Sequence, residues 1–221
     1  MANLIQVYGG MMLRALGETL LLALLSLLFA CVLGLIFGLL STMHNRVCNF
    51  IATFYVDAIR GWPLIVLAFF IYFSIPGALQ AAGLKGFRLT SLQTGTIALA
   101  LNCGAYMAEI IRAGIQSVDI GQMEAARSLG LSYGKAMRKV ILPQAIRTMI
   151  PSIINQFIIT LKDTSILSVI GFPELTNTTR TVVANTMNTQ GWLLAGLMYM
   201  VVIIALSKLS KSIERRVNRG R

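Results

Sequence analysis

The sequence predicts an all-α integral membrane protein with five membrane-spanning helices in a single domain, residues 1–221. With 56% hydrophobic and 12% charged residues, the chain is too apolar and too poor in charge for a soluble domain. Its apolar segments are long enough to cross the roughly 30 Å of hydrocarbon in a bilayer. Most basic residues lie in the polar segments between them and in the C-terminal tail, as is typical of membrane proteins.

The first span covers residues 16–40. Nearly all of these residues are apolar, and Gly34 and Gly38 form a small-xxx-small pair that suits close contact with another helix. The start of the chain lacks a basic segment and a small-residue cleavage site, so we expect no removable signal peptide. The first apolar segment is therefore expected to be retained as a membrane span.

The second span covers residues 50–75 and is expected to bend at Pro63. A proline inside a helix leaves a carbonyl without its hydrogen bond, so we expect the bend to lie against another helix or a cavity. Asp57 and Arg60 are three residues apart and can pair on one helix face. The short loop before this span contains His44, the only histidine, which we interpret as a surface residue without catalytic partners.

The third and fourth spans, residues 91–116 and 145–170, contain more polar side chains than a lipid-facing helix tolerates. We therefore expect some of these side chains to face a pathway through the protein. Glu109 and Arg112 are three residues apart, so an ion pair between them is the alternative to a role in that pathway.

The fifth span, residues 191–209, leads into a basic tail. Five spans place the chain ends on opposite sides of the membrane, and basic residues favour the cytoplasmic side. We therefore expect the N-terminus outside and the C-terminus inside. Few basic residues then face outward or lie within the membrane; those outside are Arg14, Lys85, Arg88 and Arg180, and Lys162 is intramembrane. The net charge of +11 is explained by this orientation, and binding to nucleic acid is not expected.

A polar, basic segment, residues 119–143, separates the third span from the fourth, and we expect it to lie in water and contact another molecule. Asp119 is a good helix N-cap, and Gln122 has the spacing of a capping box. Gly130 can adopt the left-handed conformation that ends this helix, and Ser132 can cap a second one. We expect Met123, Ala126 and Leu129 on one side of the first helix, and Glu124, Arg127 and Ser128 on the other.

The spacing within this segment resembles the EAA loop of ABC importer permeases. Glu124-Ala125-Ala126 is followed after three residues by Gly130, and nine residues later by Val140-Ile141-Leu142-Pro143. Val140 stands where the family usually has Ile and keeps the β-branched shape. The resemblance implies a cytoplasmic coupling helix, and its predicted ATPase-coupling residues are Glu124, Ala125, Ala126, Arg127, Leu129 and Gly130.

Nearly the whole chain resembles the permease subunit of polar amino-acid ABC importers, the group that includes histidine, glutamine and arginine uptake systems. The matching stretches are GETL 17–20, DAIRGWP 57–63, NCGAYMAE 102–109, NQ 155–156 and LKDTS 161–165. Trp62 stands where the family commonly has Thr, and Cys103 where Ser is frequent. These departures leave the identity of the substrate open.

The resemblance implies a type I importer fold in the bacterial inner membrane, with no enzyme activity in this chain. Two permease subunits, identical or related, would pack around a central pathway and dock on a cytoplasmic ATPase homodimer. An extracytoplasmic binding protein would deliver the amino acid. The chain contains no G-x-x-x-x-G-K-[ST] sequence, so we expect ATP and Mg²⁺ to be bound by the ATPase and no cofactor by this chain.

An amino acid in the pathway needs an acceptor for its ammonium group and donors for its carboxylate. The predicted substrate-binding residues are Asn102, Tyr106, Glu109, Asn155, Lys162, Asp163, Thr164 and Ser165. Lys162 and Asp163 diverge by about 100° around a helix, and we favour Asp163 for the pathway. An acidic pathway favours arginine, lysine or histidine, but Lys162 can neutralise Asp163, which leaves glutamine and cystine open.

The sequence disfavours two other function classes, an intramembrane protease and a channel or structural subunit. A serine protease needs a histidine at membrane depth and a zinc protease an H-E-x-x-H or similar cluster, and the sequence has neither. A channel has no need for the EAA spacing. The widely separated Cys31, Cys48 and Cys103 are interpreted as free thiols, so neither a disulfide framework nor a metal site follows.

Overall fold

The computed structural model describes residues 2–43 and 45–218, and these residues form helices and short connections with no β-strand. The helices are α1 (Ala2–Leu40), α2 (Arg46–Arg60), α3 (Leu64–Phe69), α4 (Ile75–Ala81), α5 (Ser91–Gln116), α6 (Ile120–Ser128), α7 (Tyr133–Ala136), α8 (Leu142–Asp163), α9 (Leu175–Thr186) and α10 (Gln190–Asn218). Two π-helical turns, Phe70–Ser74 and Met137–Ile141, join α3 to α4 and α7 to α8, and a 3₁₀ helix, Thr164–Ile170, extends α8. His44, Arg219 and Arg221 lie outside the described residues.

The prediction of five membrane-spanning helices is confirmed. Among the described residues, the segments long and apolar enough to cross a membrane are Asn3–Leu40, Leu64–Ala81, Ser91–Gln116, Tyr133–Ile170 and Gln190–Ile213. The first starts earlier than the sequence pattern suggested because the helical backbone continues through the polar residues near the chain start. The fourth starts earlier because the π-helical turn makes α7 continuous with α8.

The second span differs from the single bent helix that we expected over residues 50–75. Helix α2 ends at Arg60, and α3 begins only at Leu64. Pro63 has an extended backbone with ψ of 135° and occupies the N-cap position of α3. A proline disfavours a helical conformation in the residue before it and cannot donate a backbone hydrogen bond, so the chain breaks rather than bends.

Helices α1 and α5 approach each other closely along the glycine pair predicted for helix contact. A Cβ atom added to Gly34 would lie 2.6 Å from the Cβ of Met107, and one added to Gly38 would lie 2.8 Å from the Cβ of Ile111. Gly104 on α5 has the complementary role, because an added Cβ would lie 2.9 Å from the Cβ of Leu33. Small residues on both helices therefore allow this contact.

Helix α9 packs between α1 and α10 and is anchored by the fully buried Glu174. The Glu174 carboxylate caps the helix by accepting backbone hydrogen bonds from Thr176 (2.7 Å) and Asn177 (2.6 Å). The Tyr199 hydroxyl of α10 donates a third hydrogen bond at 2.9 Å. Burial raises the pKa of the Glu174 carboxyl, although these donors act in the opposite direction.

Candidate functional site

Three parts of the chain surround a cavity of about 560 Å³, which we call the Asp163 cavity. They are the break between α2 and α3, the middle of α5, and the end of α8 with the 3₁₀ helix that follows. The polar and aromatic residues that line it are Arg60, Trp62, Asn102, Tyr106, Gln156 and Asp163. The α5, α8 and 3₁₀ residues of this cavity lie in segments that can span a membrane.

Helical spacing explains why these side chains converge. Asn102 and Tyr106 are four residues apart on α5, and Gln156 and Asp163 are seven apart on α8, so each pair lies on one helix face. Asn102 and Gln156 are buried, whereas Tyr106 and Asp163 are more accessible. The amide of Asn102 has no hydrogen bond to any other described residue, so it is available to a ligand in this cavity.

Arg60 occupies the last position of α2, where the helix dipole favours a cation. Its guanidinium carbon lies 5.1 Å from the centre of the Tyr106 ring, within the range of a cation–π interaction. Its Nη1 atom lies 4.0 Å from Oε2 of Glu109. Beyond the Gly61 linker, the indole of Trp62 contacts Phe70 edge to face, with ring centres 5.3 Å apart. The chain break thus places one cation and one large aromatic side chain at the cavity.

A second cavity, of about 330 Å³, lies between α2 and α5 and is called the Glu109 cavity. Its charged lining residues are Asp57, Arg60, Glu109 and Arg112. Arg112 donates from Nε to Oε2 of Glu109 at 3.0 Å, and its Nη2 also bonds Oε1. The ion pair that the sequence offered as an alternative for Glu109 is therefore formed. Arg60 approaches Glu109 rather than Asp57.

The structure brings together three of the predicted substrate residues, because Asn102, Tyr106 and Asp163 all line the Asp163 cavity. Glu109 lines the Glu109 cavity instead. The hydroxyls of Thr164 and Ser165 each donate to a carbonyl three residues earlier at 2.7 Å, so both turn back onto the helix.

Asn155 and Lys162 are exposed on α8 and do not line the Asp163 cavity. Each is next to a residue that does line it, Gln156 and Asp163 respectively. Neighbouring side chains diverge by about 100° around a helix, so Asn155 and Lys162 point away from the cavity. Gln156 was missed by sequence reasoning, although its spacing of seven residues from Asp163 is a signal that could have identified it. The sequence indicated Arg60 only as a possible partner of Asp57, and Trp62 only as a departure from the family pattern. Neither was predicted to line a cavity with α8, because their position there depends on the chain break between α2 and α3.

The polar segment between the third and fourth spans, residues 119–143, folds as a helix, a glycine turn and a second helix. The Asp119 side chain caps α6 by accepting from the Gly121 amide at 2.6 Å. Gln122 does not complete a capping box, and its side-chain oxygen lies 3.4 Å from Nε2 of Gln144. Gly130 has a φ of +82°, the left-handed conformation expected from the sequence. Ser132 occupies the N-cap position of α7 without a side-chain hydrogen bond.

Helix α6 packs against α7 and the π-helical turn Met137–Ile141, and its Ala126 is only 4% exposed. Leu129 was predicted on the same side as Ala126, but it is 85% exposed. Leu129 is the C-cap residue of α6, and its amide still donates to the carbonyl oxygen of Ala125 at 3.1 Å, so its side chain is left uncovered at the end of the helix. The segment therefore presents an apolar side chain to its surroundings beside the exposed Glu124 and Arg127.

Within residues 2–43 and 45–218, no group of three or more His, Cys, Asp or Glu side chains is arranged to hold a metal ion. Cys31, Cys48 and Cys103 are free cysteines, and only Cys103 is buried. The Asp163 cavity itself offers charged, amide and aromatic side chains for binding.

Residues 30–219 match the family model described as "Binding-protein-dependent transport system inner membrane component". Over 206 residues the chain is 35% identical to the arginine transport system permease protein ArtQ of Bacillus subtilis, covering 93% of this chain and 91% of the relative. It is also 35% identical over 200 residues to the glutamine transport system permease protein GlnP of Escherichia coli, covering 90% and 89%.

Solved structures agree with these relatives. A chain from a crystal structure described as an amino acid ABC transporter with histidines superposes with a TM-score of 0.88 and 38% identity, covering 97% of both chains. A chain of the inward-facing MetNI methionine ABC transporter, with 19% identity, has the same fold at a TM-score of 0.77, covering 93% of this chain and 95% of the other. This chain therefore belongs to the binding-protein-dependent transport system inner membrane components and, within them, is an amino-acid ABC transporter permease of the cell membrane.

Proposed function

We propose that this permease forms the translocation pathway for a polar or cationic amino acid and couples its import to ATP hydrolysis by partner ATPase subunits. The observation that carries the proposal is the Asp163 cavity, which gathers charged and amide side chains from helices of the membrane domain. Burying a polar side chain at membrane depth costs free energy unless a ligand, another polar group or water interacts with it.

The substrate class follows from the side chains available in this cavity. Asp163 has no hydrogen bond or ion pair within 4 Å among the described residues, so its carboxylate is available to an ammonium group. The amides of Asn102 and Gln156 are able to donate to or accept from a polar side chain. The names of the relatives, which include arginine and glutamine permeases, support a cationic or neutral polar amino acid.

Coupling to ATP hydrolysis is assigned to α6 and the turn that follows. In this proposal the basic coupling segment faces the cytoplasm, in line with the positive-inside rule. Leu129 enters an apolar groove of the ATPase, while Glu124 and Arg127 contact its rim. The ATPase homodimer binds ATP and Mg²⁺, a second permease subunit, identical or related, completes the pathway, and an extracytoplasmic binding protein delivers the amino acid.

The coupling role is tested by changing one exposed leucine. Leu129→Ser should weaken ATPase binding by about tenfold to 100-fold, because burial of a leucine side chain contributes about 1.5–3 kcal/mol. Leu84, which is 56% exposed in the loop before α5, supplies the matched control, and Leu84→Ser should leave ATPase affinity unchanged. Affinity is measured between permease in nanodiscs and the purified ATPase. Equal affinities for both variants would contradict the assignment of α6 and its turn.

A further inference from the structure

Arg60 lies between the two cavities of the membrane domain. It lines both the Asp163 cavity and the Glu109 cavity. Its position at the end of α2 is fixed by the chain break that precedes Pro63. The Tyr106 ring beneath the guanidinium further restricts its orientation. An arginine held in this way presents its hydrogen-bond donors in a fixed geometry.

The protein does not use the hydrogen-bonding capacity of Arg60. Glu109 is the nearest acid, but its two oxygens are bonded by Arg112. Arg60 stays at 4.0 Å from Glu109, which is longer than a hydrogen bond. In the described part of the chain, the Arg60 side chain makes no hydrogen bond, so its donors remain available to a ligand, while its charge also interacts with Glu109 and with the Tyr106 ring.

Asp163 has the opposite charge in the same cavity and is likewise available. One cation and one anion on different elements, separated by amide groups, match the two charges of a free amino acid. Arginine donates two parallel hydrogen bonds to a carboxylate, and such charge-assisted pairs are stronger than neutral ones. Asp163 alone would attract any cation, whereas both groups together select a zwitterion.

Building on the proposed transport function, we propose that Arg60 binds the α-carboxylate of the transported amino acid in the Asp163 cavity. Arg60 is thus a substrate-binding residue that distinguishes an amino acid from an amine or a carboxamide of the same side chain. The aromatic face of Tyr106 holds the guanidinium, and because Arg112 bonds both oxygens of Glu109, the hydrogen-bond donors of Arg60 are left for substrate. A different role, in which Arg60 only joins α2 to α5 through Glu109, predicts no discrimination at the carboxyl group.

The experiment compares carboxylate and carboxamide probes. Permease–ATPase complex in nanodiscs, without the binding protein, is titrated with L-arginine, L-glutamine and L-histidine and with the three corresponding α-carboxamides. Omitting the binding protein matters because that protein selects ligands of its own. For the best-bound side chain, the wild-type complex should favour the carboxylate by about tenfold to 100-fold, as expected for a charged hydrogen-bond pair.

Variants separate binding from a structural role. Arg60→Gln should reduce the preference to about onefold, and Arg60→Lys should retain part of it, because lysine keeps the charge but lacks the planar fork. Arg46→Gln, at the opposite end of α2, should keep the full preference. Glu109→Gln should also keep it, since it removes the ion-pair partner and leaves Arg60 in place.

Each outcome has a defined meaning. Import by wild-type proteoliposomes is measured in parallel, and its absence with every amino acid would overturn the proposed function and this inference with it. Wild-type import without a carboxylate preference, or with the same preference in Arg60→Gln, would overturn the role of Arg60 alone. Loss of the preference in Glu109→Gln to the same extent as in Arg60→Gln would show that Arg60 acts through the helix contact.

Discussion

Replacing Gly34 with alanine tests the packing on which the membrane domain depends. The added Cβ would lie 2.6 Å from the Cβ of Met107 and 3.4 Å from the carbonyl oxygen of Gly104. The first distance is well below normal van der Waals contact, and the Met107 atom belongs to the rigid base of its side chain. Helices α1 and α5 must therefore separate slightly, and overpacking of this kind costs about 1–3 kcal/mol.

Gly17 provides the matched control on the same helix. A Cβ added there meets no atom within 4 Å. Both substitutions gain the same helix propensity, up to about 1 kcal/mol for glycine to alanine, so their difference isolates the packing cost. If a change of 1 kcal/mol shifts the melting temperature by about 2–4 °C, Gly34→Ala should melt several degrees below Gly17→Ala.

The assay is thermal unfolding of the purified permease in detergent, followed by circular dichroism and by the onset of aggregation. We expect the order Gly17→Ala, then Gly34→Ala, from higher to lower melting temperature. Equal melting temperatures would refute the reasoning, because they would mean that α1 and α5 do not pack as closely as the glycine contacts require.

Three further predictions concern the segment 119–143, the Asp163 cavity and α9. Gly130→Ala should destabilise the protein by about 1–2 kcal/mol, because its φ of +82° is unfavourable for alanine. The control is Gly134→Ala, which lies in a helix with open space around it and should not destabilise the protein. Thermal unfolding compares the two variants. Asp163→Asn should weaken amino-acid binding to the complex in nanodiscs by about tenfold or more, through loss of a charge-assisted bond. For Glu174, burial raises the pKa above its unfolded value, so the folded state holds the proton more tightly and stability should fall as pH rises through the raised pKa. Glu174→Gln should remove this pH dependence in melting curves, and an unchanged slope would assign it to other groups.

Hydropathy and local chemistry were sufficient to predict most of the fold. Five apolar segments gave five spans because backbone burial in lipid leaves few alternatives to a helix. Gly130 was correctly predicted to end the helix, because few residues other than glycine readily adopt the left-handed conformation there. The Gly34 and Gly38 contact followed from their spacing alone.

The parts that sequence reasoning did not reach depend on helix rotation and on long-range contacts. Predicting that Gln156 rather than Asn155 lines the cavity requires knowing which face of α8 meets α5. The pattern of polar residues in α8 alone does not give the rotation of the helix about its axis. The exposure of Leu129 was not predicted because helical spacing gives the side of the helix on which a residue lies but not whether a neighbouring element covers it. The role inferred for Arg60 depends on its position above Tyr106, which is 46 residues away in the sequence.

ATP-driven accumulation in proteoliposomes tests the central claim most directly. The vesicles contain this permease, its ATPase and, where required, a second related permease, with the binding protein outside and ATP enclosed. We predict that ATP hydrolysis rises when the binding protein carries one particular amino acid, and that this amino acid accumulates against its gradient. Uptake that is equal with and without enclosed ATP, and that stops at equal concentrations, would indicate a channel and contradict the account.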